Sequence, residues 1–119
     1  MGSDYDPDNI FARILRGELP SDRVYEDEEF IAFRDIAPAA PVHVLMIPRG
    51  EAPVGPAAIR EEDAGWVGRM IVVASKIAAD LGLDERGYRL VMNCGPDAHQ
   101  TVPHLHLHIL GGRQLGGMA

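Results

Sequence analysis

The segment Pro103-His104-Leu105-His106-Leu107-His108-Ile109-Leu110 lies close to the end of the chain and decides how the rest is read. Side chains on a β-strand alternate between its two faces. A strand over residues 104–110 therefore projects His104, His106 and His108 to one side and turns Leu105, Leu107 and Ile109 toward a core. Same-face neighbours are about 6.5–7 Å apart, so the outer imidazoles are separated by roughly 13 Å. They would line a shallow trough rather than meet at one point. Three histidines in strict alternation through an aliphatic strand do not suit plain surface filling.

Three chemical uses compete for such a trough. Alternating histidines can hold zinc or copper, with His43 available from another strand, although structural zinc sites usually close with cysteines. Imidazole titrates near neutral pH and suits general acid–base work. A neutral imidazole can also attack phosphorus while neighbouring groups hold the phosphate oxygens. The local sequence favours the third use. Gln100-Thr101 offers an amide and a hydroxyl just before the strand, and Asn93 offers an amide at the end of another.

Outward from this segment, residues 23–26 and 30–35 read as strands around the acidic turn Asp27-Glu28-Glu29, and residues 42–48 as a third strand ended by Pro48. Residues 88–93 make a fourth and 104–110 the fifth. In the second strand Phe30, Ala32 and Arg34 share one face, and Ile31, Phe33 and Asp35 the other. A short helix follows Asp8 or Asn9 as cap, with Ile10, Phe11, Ile14 and Leu15 on its apolar side and Gly17 as its stop. The best helix in the chain carries Val67, Met70, Ile71, Ala74, Ile77, Ala78 and Leu81 in one stripe and closes at Gly82. Glu61, Glu62 and Asp63 suit its positive end, and Gly65 and Gly68 weaken its first turns. Short turns between strands and one long amphipathic helix on one face predict an α+β fold with a five-stranded antiparallel sheet. The expectation is one domain over residues 1–119, with residues 1–7 and 112–119 as flexible ends.

Composition bounds the function. The chain has 119 residues, 11 basic and 18 acidic, for a net charge of −7. An acidic domain is a poor partner for long nucleic acid, which is bound through counterion release. A small phosphorylated ligand remains compatible with a local attractive site. The single cysteine, Cys94, excludes an internal disulfide and fits a reducing compartment. No apolar run is long enough to cross a bilayer, no secretory signal is expected, and Met1-Gly2-Ser3 lacks the Ser or Thr at position 6 of a myristoylation site. A cytoplasmic protein without membrane or nucleic-acid partners is expected.

The chain also resembles a known family. The run His104-Leu105-His106-Leu107-His108-Ile109-Leu110 is similar to the signature of the histidine triad (HIT) family. Asp8-Asn9-Ile10-Phe11, Phe33-Arg34-Asp35-Ile36-Ala37-Pro38, residues 41–48, Asn93-Cys94-Gly95 and Gln100-Thr101-Val102 resemble its other segments in order. The continuation Leu110-Gly111-Gly112-Arg113-Gln114 resembles its histidine triad nucleotide-binding (Hint) branch. That resemblance implies a HIT-like fold, a homodimer whose two sheets join through the long helix and fourth strand, and hydrolysis of purine nucleoside phosphoramidates such as AMP–amine conjugates. It implies His106 as the nucleophile that becomes transiently nucleotidylated, with His104, His108 and His43 orienting it and contacting phosphate. Thr101 would stand near phosphate and leaving group, and Asp35 would accept from the ribose hydroxyls. Phe11, Ile14, Ile36 and Ile10 would wall the base. Because an amine leaves well only when protonated, an imidazolium would deliver a proton as the P–N bond breaks. Some relatives bind zinc through two cysteines in the first helix; Asn9 and Ala12 stand there in this chain, so no metal and no cofactor is expected. The nearest alternatives are a dinucleoside polyphosphate hydrolase and a noncatalytic nucleotide-binding regulator.

Overall fold

The computed structural model describes residues 5–118; residues 1–4, with the Met1-Gly2-Ser3 segment, and Ala119 lie outside the described residues. Five strands form one antiparallel sheet: β1 (Arg23–Glu26), β2 (Phe30–Arg34), β3 (Val42–Pro48), β4 (Arg89–Val91) and β5 (Leu107–Gly111), in spatial order β1-β2-β3-β5-β4. Helix α1 (Ile10–Leu15) precedes the sheet, and α2 (Ala64–Asp80) connects β3 to β4.

Alternation along the central strands splits the interior into two layers. Phe30, Ala32, Val44, Met46, Leu107 and Ile109 face α2, which contributes Met70, Ala74, Ile77 and Ala78. Ile31, Phe33, Leu45 and Ile47 face the other way and are covered by Phe11 and Ile14 of α1. The apolar stripe expected on α2 is the buried one, and the helix runs unbroken through Gly65 and Gly68. Its three acidic residues form a preceding 3-10 turn, Glu61–Asp63, rather than its first turn. Asn9 caps α1, its side-chain oxygen accepting from Ala12 N at 2.9 Å, and Gly17 takes the left-handed conformation that ends it.

Three strands differ from expectation at their ends, and the fifth strand matters most. β5 starts at Leu107, three residues after His104. Its partner β3 pairs Met46 with Leu107 and then runs out in Pro48, which has no N–H to offer a ladder. The preceding residues bond elsewhere: Leu105 N donates to Pro53 O at 2.8 Å and His104 N to Val102 O at 2.9 Å. β4 is an edge strand of three residues rather than six, and β2 stops one residue short of Asp35. Both chain ends make contacts: Tyr5 bonds to His104, and Arg89 donates to Gly116 O at 2.7 Å. Among the described residues, no helix is long and apolar enough to cross a membrane.

Candidate active site

The face of the sheet that carries α1 has a cavity of about 440 Å³ at its end. His106 and His108 line it, together with Asp35, Ile36, Thr101, Ile10, Phe11 and Ile14. Phe33 and Leu45 line it as well. Neither was singled out from the sequence, although alternation puts them on the face of Asp35 and His43.

His104 corrects the expected trough. Leu105, Leu107 and Ile109 all lie in the α2-side core, and His104 stays on the side of His106. Tyr5, Asn9 and Phe11 cover it, however, so its ring is fully buried and does not line the cavity. Its Nδ1 accepts from the Tyr5 hydroxyl at 2.9 Å and from the Asn9 amide at 3.4 Å. Asn9 is oriented unambiguously, because its oxygen caps α1 and its nitrogen also donates to Asp6 O. His104 therefore keeps its proton on Nε2, a buried atom without a hydrogen-bond partner among the described residues. Burial pushes its pKa down to about 4. What His104 supplies to the site is its carbonyl, which accepts from His106 Nδ1 at 2.7 Å.

That bond assigns the His106 tautomer. With the proton on Nδ1, Nε2 bears the lone pair, and no described group bonds to it. Burial lowers the His106 pKa, against upward pulls from the His104 carbonyl and Asp35. The Phe11 ring stands edge-on at 4.9 Å between centroids and limits ring rotation.

A second chain of assignments starts at the backbone. Ala39 N–H donates to His43 Nδ1 at 3.0 Å, which leaves the His43 proton on Nε2. That N–H donates in turn to His108 Nδ1 at 2.9 Å, so His108 carries its proton on Nε2. Asp35 Oδ2 stands 3.5 Å from His43 Nε2, while Oδ1 accepts from Ala37 N at 2.8 Å. Burial and the neighbouring imidazoles push His108 down to about 4, and burial lowers His43 despite Asp35. The resting imidazoles are consequently neutral at pH 7, and none of them stands as the imidazolium expected to protonate a leaving amine.

Asp35, His43 and His108 hold donor atoms within 4.8 Å of one another, close enough to share a metal ion. The Ala39 amide opposes this, because it places a proton on the very His43 atom that an ion would need. The donor set fits a hydrogen-bond relay better than a cation.

Two expected phosphate donors lie apart from the cavity wall. Gln100 is consumed in a loop clamp: its oxygen accepts from Gly95 N at 2.9 Å and its nitrogen donates to Val54 O at 2.6 Å and Val102 O at 3.1 Å. Asn93 donates to Ala98 O at 2.8 Å. Both amides shape the loop that carries Thr101. Tyr5 and the Ala39 amide escaped the sequence reading: no periodicity marks a residue ahead of α1, and a main-chain donor has no side-chain signal.

A neutral imidazole nitrogen facing a small-ligand cavity, with a fixed N–H donor beside it, suits a hydrolase. The HIT domain family model matches residues 16–115. Purine nucleoside phosphoramidase of Escherichia coli K12 is 50% identical over 112 residues, 93% of this chain and 92% of that protein. A histidine triad protein from Clostridium difficile superposes with a TM-score of 0.89 at 40% identity, covering 98% of this chain and all of that one. A HIT family hydrolase from Clostridium thermocellum gives 0.87 at 49% identity, covering 93% and 96%. The chain belongs to the HIT domain family, in its histidine triad nucleotide-binding branch, and is a hydrolase.

Proposed function

We propose that the protein hydrolyses purine nucleoside 5'-phosphoramidates through a nucleotidyl-His106 intermediate. The observation that carries this reading is the His106–His104 carbonyl bond, which leaves Nε2 unprotonated at the cavity. His106 Nε2 forms a bond to phosphorus as the P–N bond breaks, and water then cleaves the P–Nε2 bond to release the nucleoside monophosphate. The bound phosphoramidate anion raises the proton affinity of the surrounding imidazoles. The site, neutral at rest, thereby takes up the proton that the departing amine carries away. His108 Nε2–H donates to a phosphoryl oxygen, with His43 holding its ring, and Thr101 stands at the leaving-group side. The free lone pairs of Asp35 suit the ribose diol, and Phe11, Ile10, Ile14 and the exposed Ile36 suit an adenine or guanine ring.

The relative in Escherichia coli, named for its action on purine nucleoside phosphoramidates, supports the substrate class. The unpaired outer edge of β4, with exposed Ile71 and Val72 on α2, supports a homodimer joined through these two elements. An exposed Cys94 without a disulfide partner suits the cytoplasm. Mass spectrometry of enzyme quenched during turnover of an AMP–amine conjugate is expected to find AMP on His106, and His106→Gly to abolish turnover. Rapid turnover without the adduct overturns the covalent route. Preference for a dinucleoside polyphosphate in a parallel assay overturns the substrate, and nucleotide binding without turnover overturns the activity.

A further inference from the structure

The acceptor that fixes the His106 tautomer lies outside the sheet. β5 begins at Leu107, so no ladder bond holds the peptide that carries the His104 carbonyl. The N–H of that peptide, on Leu105, donates to Pro53 O at 2.8 Å, and His104 N–H donates to Val102 O at 2.9 Å. Both acceptors belong to irregular chain. The side-chain tether is the His104 ring itself. Tyr5 donates to its Nδ1 at 2.9 Å from 99 residues earlier in the chain, and the Asn9 amide adds a longer bond at 3.4 Å. The tyrosine ring lies against the imidazole at 5.5 Å between centroids. Phe11, on the helix that Asn9 caps, stands edge-on to His104 at 6.0 Å and to His106 at 4.9 Å. Residues 5–11 thus form one cover, fastened through His104 to the segment that carries His106.

A carbonyl alone does not require histidine at position 104. Every residue supplies that group, and leucine would do so without burying a polar ring. The His104 ring is fully buried, and its Nε2 has no hydrogen-bond partner among the described residues. Leaving such a donor unmet costs about 1–3 kcal/mol. What an apolar side chain lacks is a directed bond at Nδ1, and Tyr5 makes that bond. The bond also occupies the lone pair that a second proton would need, so His104 stays uncharged behind His106.

We propose that Tyr5 is a positioning residue for the reaction. Its hydroxyl fixes the His104 ring, and through that ring the carbonyl that keeps the His106 proton on Nδ1 and the lone pair on Nε2. Tyr5 does not line the histidine cavity, so it acts without touching a ligand. Its effect on rate rests on the reading of His106 as nucleophile, whereas its effect on the His106 tautomer is a property of the resting protein.

The test compares the full-length protein with Tyr5→Phe, which removes one oxygen and keeps the ring against His104. Steady-state kinetics on an AMP–amine conjugate are paired with nitrogen NMR of the histidine rings without substrate. The kcat is expected to fall about fivefold with KM unchanged, as the loss of one hydrogen bond implies. The His106 nitrogens are expected to move from one tautomer toward a mixture. Unchanged His106 nitrogens overturn the proposal whatever the rate, because Tyr5 then only packs. An unchanged kcat in an enzyme that forms the AMP adduct overturns it as well. If the wild type forms no adduct while Tyr5→Phe still moves the His106 nitrogens, the covalent reading fails and the positioning of the ring stands.

Discussion

Ala39 N–H donates to His43 Nδ1 at 3.0 Å, and this single main-chain bond decides where protons sit on two imidazoles. It forces His43 to donate from Nε2, which forces His108 to accept at Nδ1 and present its own N–H from Nε2. Ala39→Pro deletes the donor and is expected to lower kcat about tenfold or more while changing KM little, the effect of losing one orienting hydrogen bond. Ala39→Val keeps the amide and is expected to behave as wild type. Nitrogen NMR of the histidine rings checks the cause, because only the proline variant should release the His43 tautomer.

Stability should drain away on mild acidification. His104 and His108 are both held down to about 4 in the fold, against an ordinary value of 6.5. Between those limits the unfolded chain binds more protons than the folded one, so stability is complete above about pH 6.5 and falls as pH drops toward 4. For fully buried His104 the loss amounts to roughly 3 kcal/mol. Denaturant melts at stepped pH measure it, and His104→Gln is expected to flatten the curve.

Catalysis should tolerate acid better than free imidazole would. Burial lowers the His106 pKa, so its lone pair stays available below the usual histidine range. The acid limb of kcat/KM for an AMP–amine conjugate is expected below pH 6.5, the ordinary value. A limb at or above that value would contradict the proposal that His106 acts as a buried, neutral nucleophile.

Two residues of the cavity separate packing from recognition. Phe11 is 6% exposed and packs against Phe33 and His106. Phe11→Ala is expected to cost about 3–5 kcal/mol of stability. Ile36 is 97% exposed at the rim. Ile36→Ser is expected to leave the melting temperature nearly unchanged and raise KM for the nucleotide. Thermal melts and steady-state kinetics on both variants test the contrast.

Much of the architecture was legible because burial imposes a period. The stripe on α2 follows from one apolar face, whereas residues 30–34 and 42–48 are apolar on both faces because the central strands are covered on both sides, and the structure buries them accordingly. The triad was legible only in part. Alternation puts Leu105, Leu107 and Ile109 in the core, as the structure does, but it gives no sign that the ladder begins only at Leu107 or that Tyr5 and α1 cover His104. Gln100 looked like a phosphate donor because its amide is free in a sequence, whereas Val54, Val102 and Gly95 claim it in the fold. These partners are carbonyls and amides of the main chain, which every residue possesses and no motif distinguishes.

The same fact has a practical side. Both histidine assignments at the cavity originate in peptide groups, the carbonyl of His104 and the amide of Ala39. Position 39 is therefore open to engineering: its exposed side chain can be exchanged while the proton arrangement stays in place, with proline the one residue to avoid.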